Sequence, residues 1–201
     1  MKWTLKTKEL DPTLQRLAEA INRINSCKLV SISDSTYYTT PLPFYTDFKF
    51  YTFIDLSFTP YLEIRLLDNG NYTFMLDGTQ NPFIEANSIS PLVLTDKNVY
   101  DYALLVLGNT RKKDDSYRLV NSIDEITFSA EPTLEEYEKL ESSIKTPKIK
   151  KDKESFIIKA TLLFGDTLIK ASIKVSLNGS VDITKEKKIL DNMPIKEMIL
   201  E

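Results

Sequence analysis

Asp55 and Asp77 are the two carboxylates of this 201-residue chain whose surroundings best suit chemistry. Asp55 lies between Phe53 and Ser57 in a strand-like segment, so its side chain is expected to be partly buried. Two carboxylates that converge in a pocket could serve a hydrolase or an isomerase as general acid and base. An isolated aspartate among aromatic residues is more often a hydrogen-bonded structural group. The sequence leaves both interpretations of Asp55 open.

Aromatic side chains form a second candidate site. Ten of them fall between residues 37 and 61, and tyrosine suits an interface because it combines apolar area with a hydroxyl. Core packing is favoured for the strand face that carries Phe48, Phe50 and Phe58. For the opposite face, core and partner surface are equally open. The candidate ligand or partner surface consists of Tyr37, Tyr38, Tyr45, Tyr51, Phe53 and Asp55.

Several kinds of site are excluded by composition. The chain contains no histidine and one cysteine, Cys27, which removes Ser-His and Cys-His pairs, a thiolate zinc cage and an intrachain disulfide. All five glycines stand alone, so the glycine-rich cradles for dinucleotides and triphosphates are absent. No acidic spacing matches a calcium loop. We therefore predict no catalytic residue, no metal site and no cofactor.

Charge and hydropathy indicate where the protein acts. A net charge of −3 is too weak to imply nucleic-acid binding, which needs a concentrated basic face. The N-terminal residues lack the apolar segment of a secretory signal, and the densest apolar run, residues 102–107, is too short to cross a bilayer. We expect a cytoplasmic protein with a buried cysteine that binds neither nucleic acid nor membrane.

Capping signals predict three helices, which begin at Asp11-Pro12, at Thr95 or Asp96, and at Thr133. Residues 27–32 are predicted to form a short strand, and residues 78–90 a polar loop. Residues 145–154 hold five lysines and no aromatic residue, which favours a solvated linker.

Two hairpins can be assigned a register from their turns. A three-residue loop at residues 68–70 would pair Leu66 with Tyr72 and Ile64 with Phe74.

A second register follows from a two-residue turn at Gly165-Asp166, which pairs Phe156 with Val175. A three-residue turn at 177–179 then sets Val181 opposite Val175. The C-terminal segment is therefore predicted to be an antiparallel meander with one apolar and one polar face.

Short motifs resemble those of an uncharacterised bacterial family, found mainly in alphaproteobacteria, with an LDGT-x-x-P segment and a C-terminal β-meander. They are Leu76-Asp77-Gly78-Thr79-x-x-Pro82-x-x-x-x-Asn87, Asp101-Tyr102 with Tyr117-Arg118-Leu119-Val120, and Phe164-Gly165-Asp166 through Leu190, Pro194 and Ile195. The resemblance spans about residues 45–196 and implies a folded cytoplasmic unit without a known activity.

The resemblance leaves the role of its central motif open. Relatives often carry histidine where this chain has Glu85. The motif turn is physically expected to bond nearby backbone amides through Asp77 or Thr79. Its residues are Asp77, Gly78, Thr79, Pro82 and Asn87.

These observations predict an α+β fold over residues 1–201, with sub-lobes 1–121 and 122–201 as the alternative division. An antiparallel sheet of six or more strands has helices packed mainly on one face and ends in a three-stranded meander. The expected function is a non-catalytic binding or protein-interaction domain, whose partner is a second copy of the chain or another protein. The alternative is a carboxylate- and tyrosine-dependent hydrolase or isomerase acting on a small molecule.

Overall fold

The structure, a computed structural model, describes residues 4–6, 11–112 and 115–196. It divides the chain into two compact units, Met1–Val93 and Leu94–Glu201, a boundary that differs from residue 121. Each unit holds helices and one antiparallel sheet, so the predicted α+β class is confirmed. No helix in the described ranges has the length and apolar character needed to cross a membrane.

The sheet of the first unit is an antiparallel meander whose spatial order follows the chain. Four consecutive residues of its central strand, β3, are buried, so both faces of this strand are covered. Two helices belong to this unit. Its elements are β1 (Thr4–Lys6), α1 (Pro12–Ile24), β2 (Ser35–Pro41), β3 (Lys49–Asp55), β4 (Leu62–Asp68), β5 (Thr73–Met75) and α2 (Asn81–Ile89).

Helix α1 begins where the sequence predicts. The Asp11 carboxylate caps it by accepting a hydrogen bond from the Thr13 amide at 2.8 Å, and Pro12 occupies the first turn. The apolar stripe of α1 packs against the sheet and makes the core of the unit. This core contains Leu14, Leu17, Ala18, Ile21, Val30, Tyr37, Tyr51, Phe53, Ile64 and Leu66.

The strand predicted at residues 27–32 is wrong. The Asn22 side-chain oxygen accepts hydrogen bonds from the amides of Leu29 and Val30 at 2.7 and 2.9 Å, so a helix side chain holds this backbone instead of a neighbouring strand. Cys27, expected to be buried, is exposed. The polar loop predicted at 78–90 is also wrong, because Asn81–Ile89 form α2 with proline in its first turn.

The register predicted for the β4–β5 hairpin is wrong by three residues. Leu66 pairs with Met75 and Leu67 with Phe74, which leaves a longer loop. Asp68 stays in the strand because its buried carboxylate is held by Arg16, by the Thr73 hydroxyl at 2.6 Å and by the Gly70 amide. A long-range ion pair therefore decides this loop length.

The second unit contains a six-stranded antiparallel sheet in the order β11-β10-β9-β7-β6, with β8 paired to β9 beside β7. Residues 145–154 are therefore not a linker, because their central part forms β8. The elements are α3 (Val99–Gly108), β6 (Arg111–Lys112), β7 (Asp115–Val120), α4 (Leu134–Ser143), β8 (Lys148–Lys151), β9 (Ser155–Phe164), β10 (Thr167–Ser176) and β11 (Val181–Leu190).

The predicted C-terminal meander is confirmed in its register. Phe156 pairs with Val175, and Val175 pairs with Val181. Side chains on one face are buried, whereas lysines on the other are exposed.

Helix α4 lies on the polar face, at one end of it. Leu140 packs there with Leu163 and Leu168, and the Thr161 hydroxyl donates a hydrogen bond to the Ser143 carbonyl oxygen at 3.1 Å. The predicted capping box of α4, Thr133 with Glu136, is present.

The two-residue turn at Gly165 gives the first prediction. Gly165 has φ +55°, and a Cβ there would lie 3.1 Å from the Asp115 carboxylate, whereas a Cβ on Gly108 would meet nothing within 4 Å. Gly165→Ala should lower the free energy of unfolding by about 1–2 kcal/mol because alanine disfavours this conformation. Gly108→Ala, at a helix end, should leave it unchanged or raise it by up to about 1 kcal/mol. Urea titrations measure both, and equal effects at the two glycines would refute the assignment.

Candidate functional site

The aromatic segment provides core instead of an exposed surface. Tyr37, Tyr51 and Phe53 all belong to the core that α1 makes with the first sheet. The Tyr37 hydroxyl donates to the Asp11 carboxylate at 2.7 Å, and burial together with this hydrogen bond raises the pKa of Tyr37. These three side chains are core residues and not the partner surface that the sequence suggested.

The remaining tyrosines of the segment are also largely enclosed. Tyr45 is buried, contacts the rings of Phe44 and Phe48 edge-on, and donates its hydroxyl to the Asn87 side-chain oxygen. Tyr38 is half-buried in β2. The core role predicted for Phe58 is wrong, because its side chain is 40% exposed beyond the end of β3, whereas Tyr38 and Tyr45 offer a partner little aromatic area.

Asp55 is fully buried and accepts hydrogen bonds both from its own turn and from residues 31 and 35. Its carboxylate accepts hydrogen bonds from the Ser57 amide and hydroxyl at 2.9 and 2.6 Å, from the Ser31 amide at 3.1 Å and from the Ser35 hydroxyl at 3.3 Å. Burial raises the pKa of Asp55, but these hydrogen bonds outweigh burial and hold the pKa below its usual value. Four donors on one carboxylate indicate a structural role.

The segment Asp77-Gly78-Thr79 forms the turn into α2. The Asp77 carboxylate accepts from the Thr79 amide and hydroxyl at 2.8 and 2.7 Å, and the Thr79 hydroxyl accepts from the Asn81 amide at 3.2 Å. The expected bonding of Asp77 and Thr79 to nearby amides is thus confirmed. Gly78 adopts φ +86° in this turn, and Pro82 is buried in the first turn of the helix.

Asp55 and Asp77 are therefore each engaged in a separate turn, with different partners. Glu85 is exposed on α2. No group of three or more acidic or cysteine side chains in the described ranges is arranged to hold a metal ion. The convergent carboxylates that the hydrolase or isomerase alternative requires are not formed by these two residues.

A shallow cleft of about 230 Å³ lies in the second unit, at one end of the apolar face of the sheet. The Tyr117 and Phe164 rings stack with centroids 4.6 Å apart. The Lys112 ammonium donates to the Tyr117 hydroxyl at 2.9 Å, and that hydroxyl donates to the Glu186 carboxylate at 3.4 Å. Three polar groups of the cleft thus bond to one another, and Thr167 and Lys188 bond to Asp166 and Asp191 beside it.

The polar face of the same sheet carries a dense set of lysines. Directly paired strand residues project to the same side, so the registers of β8 to β11 place seven lysines together. Lys151, which alternates with them, instead lies over the Phe156 ring on the apolar face. We call this set the lysine face: Lys148, Lys150, Lys159, Lys170, Lys174, Lys185 and Lys187.

The ammonium groups of the lysine face have no counter-ions among the described residues. All seven side chains are exposed, and none forms an ion pair or hydrogen bond with another described residue. Strand pairing in the described ranges places one carboxylate among these lysines, that of Asp182, which lies opposite Lys174. From strand spacing of about 4.8 Å and a residue rise of about 3.3 Å, the face measures roughly 14 Å in each direction.

A β-bulge in β11 creates part of this face. Ile173 pairs with Ile183 but Ser172 pairs with Lys185, so Thr184 is the extra residue, and its hydroxyl donates to the Ser172 carbonyl oxygen at 3.0 Å. Without the bulge, strand alternation would set Glu186 opposite Lys170. With it, Lys187 faces Lys170. The alternation of residues in the predicted meander is enough to place the lysines of β9 and β10 on this face, but no residue pattern in the sequence indicates the bulge.

Comparisons of the chain with known family models, with curated proteins and with solved structures give no match. The candidate site therefore depends on the geometry of this chain alone.

The hydrogen bonds at Asp55 give the second prediction. The stability from a carboxylate whose pKa is lowered on folding is complete above its unfolded pKa and is lost as pH falls through the folded pKa. Asp55→Asn should therefore cost about 2 kcal/mol at pH 7, since asparagine turns an NH₂ group toward two donors. It should also flatten the fall of unfolding free energy below about pH 4.

Denaturant titrations between pH 7 and pH 3 measure both effects. The matched control is Asp77→Asn, because Asp77 is exposed and should change stability by less than about 0.5 kcal/mol at pH 7. An Asp55→Asn protein as stable as the parent at pH 7 would contradict the structural role.

Proposed function

We propose that this protein is a non-catalytic interaction protein that binds an acidic protein partner through its lysine face. The observation that carries the proposal is seven exposed ammonium groups without counter-ions on one face of a sheet, in a chain whose net charge is −3. Lys148 is paired with Lys159, and Lys170 with Lys187. Like charges directly opposite each other destabilise a sheet, and a partner carboxylate between them would offset that cost.

Protection of sheet edges explains only part of the lysine face. Edge strands often carry lysine because charge discourages pairing with another chain. That reason applies to the edge strand β11 and to β8, which pairs with β9 on one side. It does not apply to Lys159, Lys170 and Lys174, because β9 and β10 have neighbours on both sides.

The chemistry of the face favours carboxylates of a protein over the phosphates of nucleic acid. The seven residues of the lysine face include no arginine, and Arg118, which pairs with Leu163 on the same side of the sheet, lies on β7 outside this set and is half-buried. The lysine face itself therefore lacks the planar fork that binds phosphate in a bidentate manner. It has no aromatic side chain on which an unpaired base could stack. Its four strands span roughly 14 Å before side chains are added, which is too wide for the roughly 12 Å major groove of a duplex.

Helix α4 restricts the size of the partner. A helix with its side chains is about 10 Å across, so α4 stands above the polar face beside the lysines. It exposes Glu138 and Glu141. A planar bilayer or a stiff duplex that extended beyond the lysines would meet these carboxylates, whereas a compact acidic patch or a flexible acidic chain can avoid them. The cytoplasmic location and the bacterial family inferred from the sequence stay predictions.

Charge reversal on the two central strands tests the proposal. Lys159→Glu with Lys174→Glu should weaken binding of fluorescently labelled poly-L-glutamate at least about tenfold at low salt, because two attractive contacts become repulsive. Lys28→Glu with Lys97→Glu makes the same change in net charge at exposed sites outside the face and should leave the affinity nearly unchanged. Fluorescence anisotropy measures both.

Duplex DNA and vesicles with phosphatidylserine serve as competing probes in the same assay. Tighter binding of the parent protein to either of them than to poly-L-glutamate would contradict a protein partner. Equal losses in the two double variants would show that net charge, and not the lysine face, governs binding.

A further inference from the structure

We infer that the acidic partner of the lysine face is helix α4 of a second copy of this chain, in a two-fold symmetric dimer. This inference rests on the proposed function and names the partner of the same surface. The contact would be made by the side of α4 that faces away from its own sheet.

That side of α4 is an acidic ridge. Leu140 and Ser143 are buried against the sheet, and 100° of rotation per residue places Glu138 on the opposite side, with Leu134 and Glu141 flanking it. Neither glutamate forms an ion pair or hydrogen bond with another described residue. Glu136, in contrast, is used in the capping box. The ridge therefore presents carboxylates that are available to a partner.

The ridge and the lysine face match in size. The ten residues of α4 span about 15 Å, close to the roughly 14 Å extent of the face. Glu138 and Glu141 are three residues apart, about 5 Å along the helix axis, and neighbouring strands are separated by about 4.8 Å. The two carboxylates can thus reach lysines on adjacent strands, such as Lys159 on β9 and Lys174 on β10.

The acidic ridge and the lysine face lie on the same side of one sheet, so two copies that face each other can contact through both surfaces at once about a two-fold axis. In an isologous dimer each copy provides the ridge and the lysine face once, so every contact occurs twice. The two α4 helices would lie side by side as a layer between the two sheets. Leu134 and Tyr137, which are 75% and 45% exposed on α4, would be covered in this layer. An exposed leucine and tyrosine beside charged groups suit an interface of this kind.

Analytical ultracentrifugation with reciprocal charge-reversal variants tests the inference. The parent protein should dimerise at 50 mM salt, and the dimer should weaken at least about tenfold at 500 mM salt because these exposed charges are screened. Glu138→Lys with Glu141→Lys, and separately Lys159→Glu with Lys174→Glu, should each weaken self-association at least about tenfold. An equimolar mixture of these two variants should form a heterodimer, because each ridge then meets a face of opposite charge.

Recovery of the heterodimer also shows that both variants are folded. Lys28→Glu with Lys97→Glu is the matched control and should dimerise like the parent. A monomeric parent at 50 mM salt, or a mixture that stays monomeric, would overturn the inference. If poly-L-glutamate binding still depends on Lys159 and Lys174 in that case, the proposed function stands and only the second copy is excluded. If poly-L-glutamate binding does not depend on these two lysines either, the proposed function and the inference of a dimer both fail.

Discussion

Strand pairing is the constraint on which the surfaces of the second unit depend. Side chains alternate between the two faces of a strand, so a slip of one residue would exchange the apolar and the lysine-bearing faces. The two-residue turn at Gly165 holds the register of β9 and β10, because a residue at φ +55° closes the hairpin there. Phe156 and Val175 thereby lie on the apolar face, and Lys159 and Lys174 on the other.

The bulge at Thr184 shifts the pairing of β10 and β11 by one residue. It keeps Ile183 on the apolar face while it moves Lys185 and Lys187 to the polar face, and it sends Glu186 to the side of Tyr117. The extra residue therefore separates Glu186 from Lys170, which a regular strand would have paired. The cost is a ladder with like charges opposite each other, and bulges are commonly retained where they redirect a side chain for a purpose.

Local signals were sufficient for several turns and caps, but not for α3, which was predicted to begin at Thr95 or Asp96 and begins at Val99 after Asn98. The start of α1 at Asp11, the capping box at Thr133 and the turns of the meander could be predicted because each depends on a few neighbouring residues. The β4–β5 register could not, because it depends on Arg16, which is far from Asp68 in sequence. Strand β8 was missed for a similar reason, since a lysine-rich segment becomes a strand only when β9 is beside it.

Net charge misled the sequence analysis about the surface because a sum carries no information about position. A value of −3 gave no indication of a concentrated basic face, yet strand pairing gathers seven lysines from residues 148–187 on one side of a sheet. The aromatic segment misled in the opposite direction, because Tyr37 and Tyr51 are amphipathic enough for an interface but are needed to fill the core beneath α1. Charged side chains with no partner cost little while water solvates them, so the lysine face can persist in the free protein. A surface built from solvated charge therefore leaves no trace in hydrophobic patterning, and only the register of the strands reveals it.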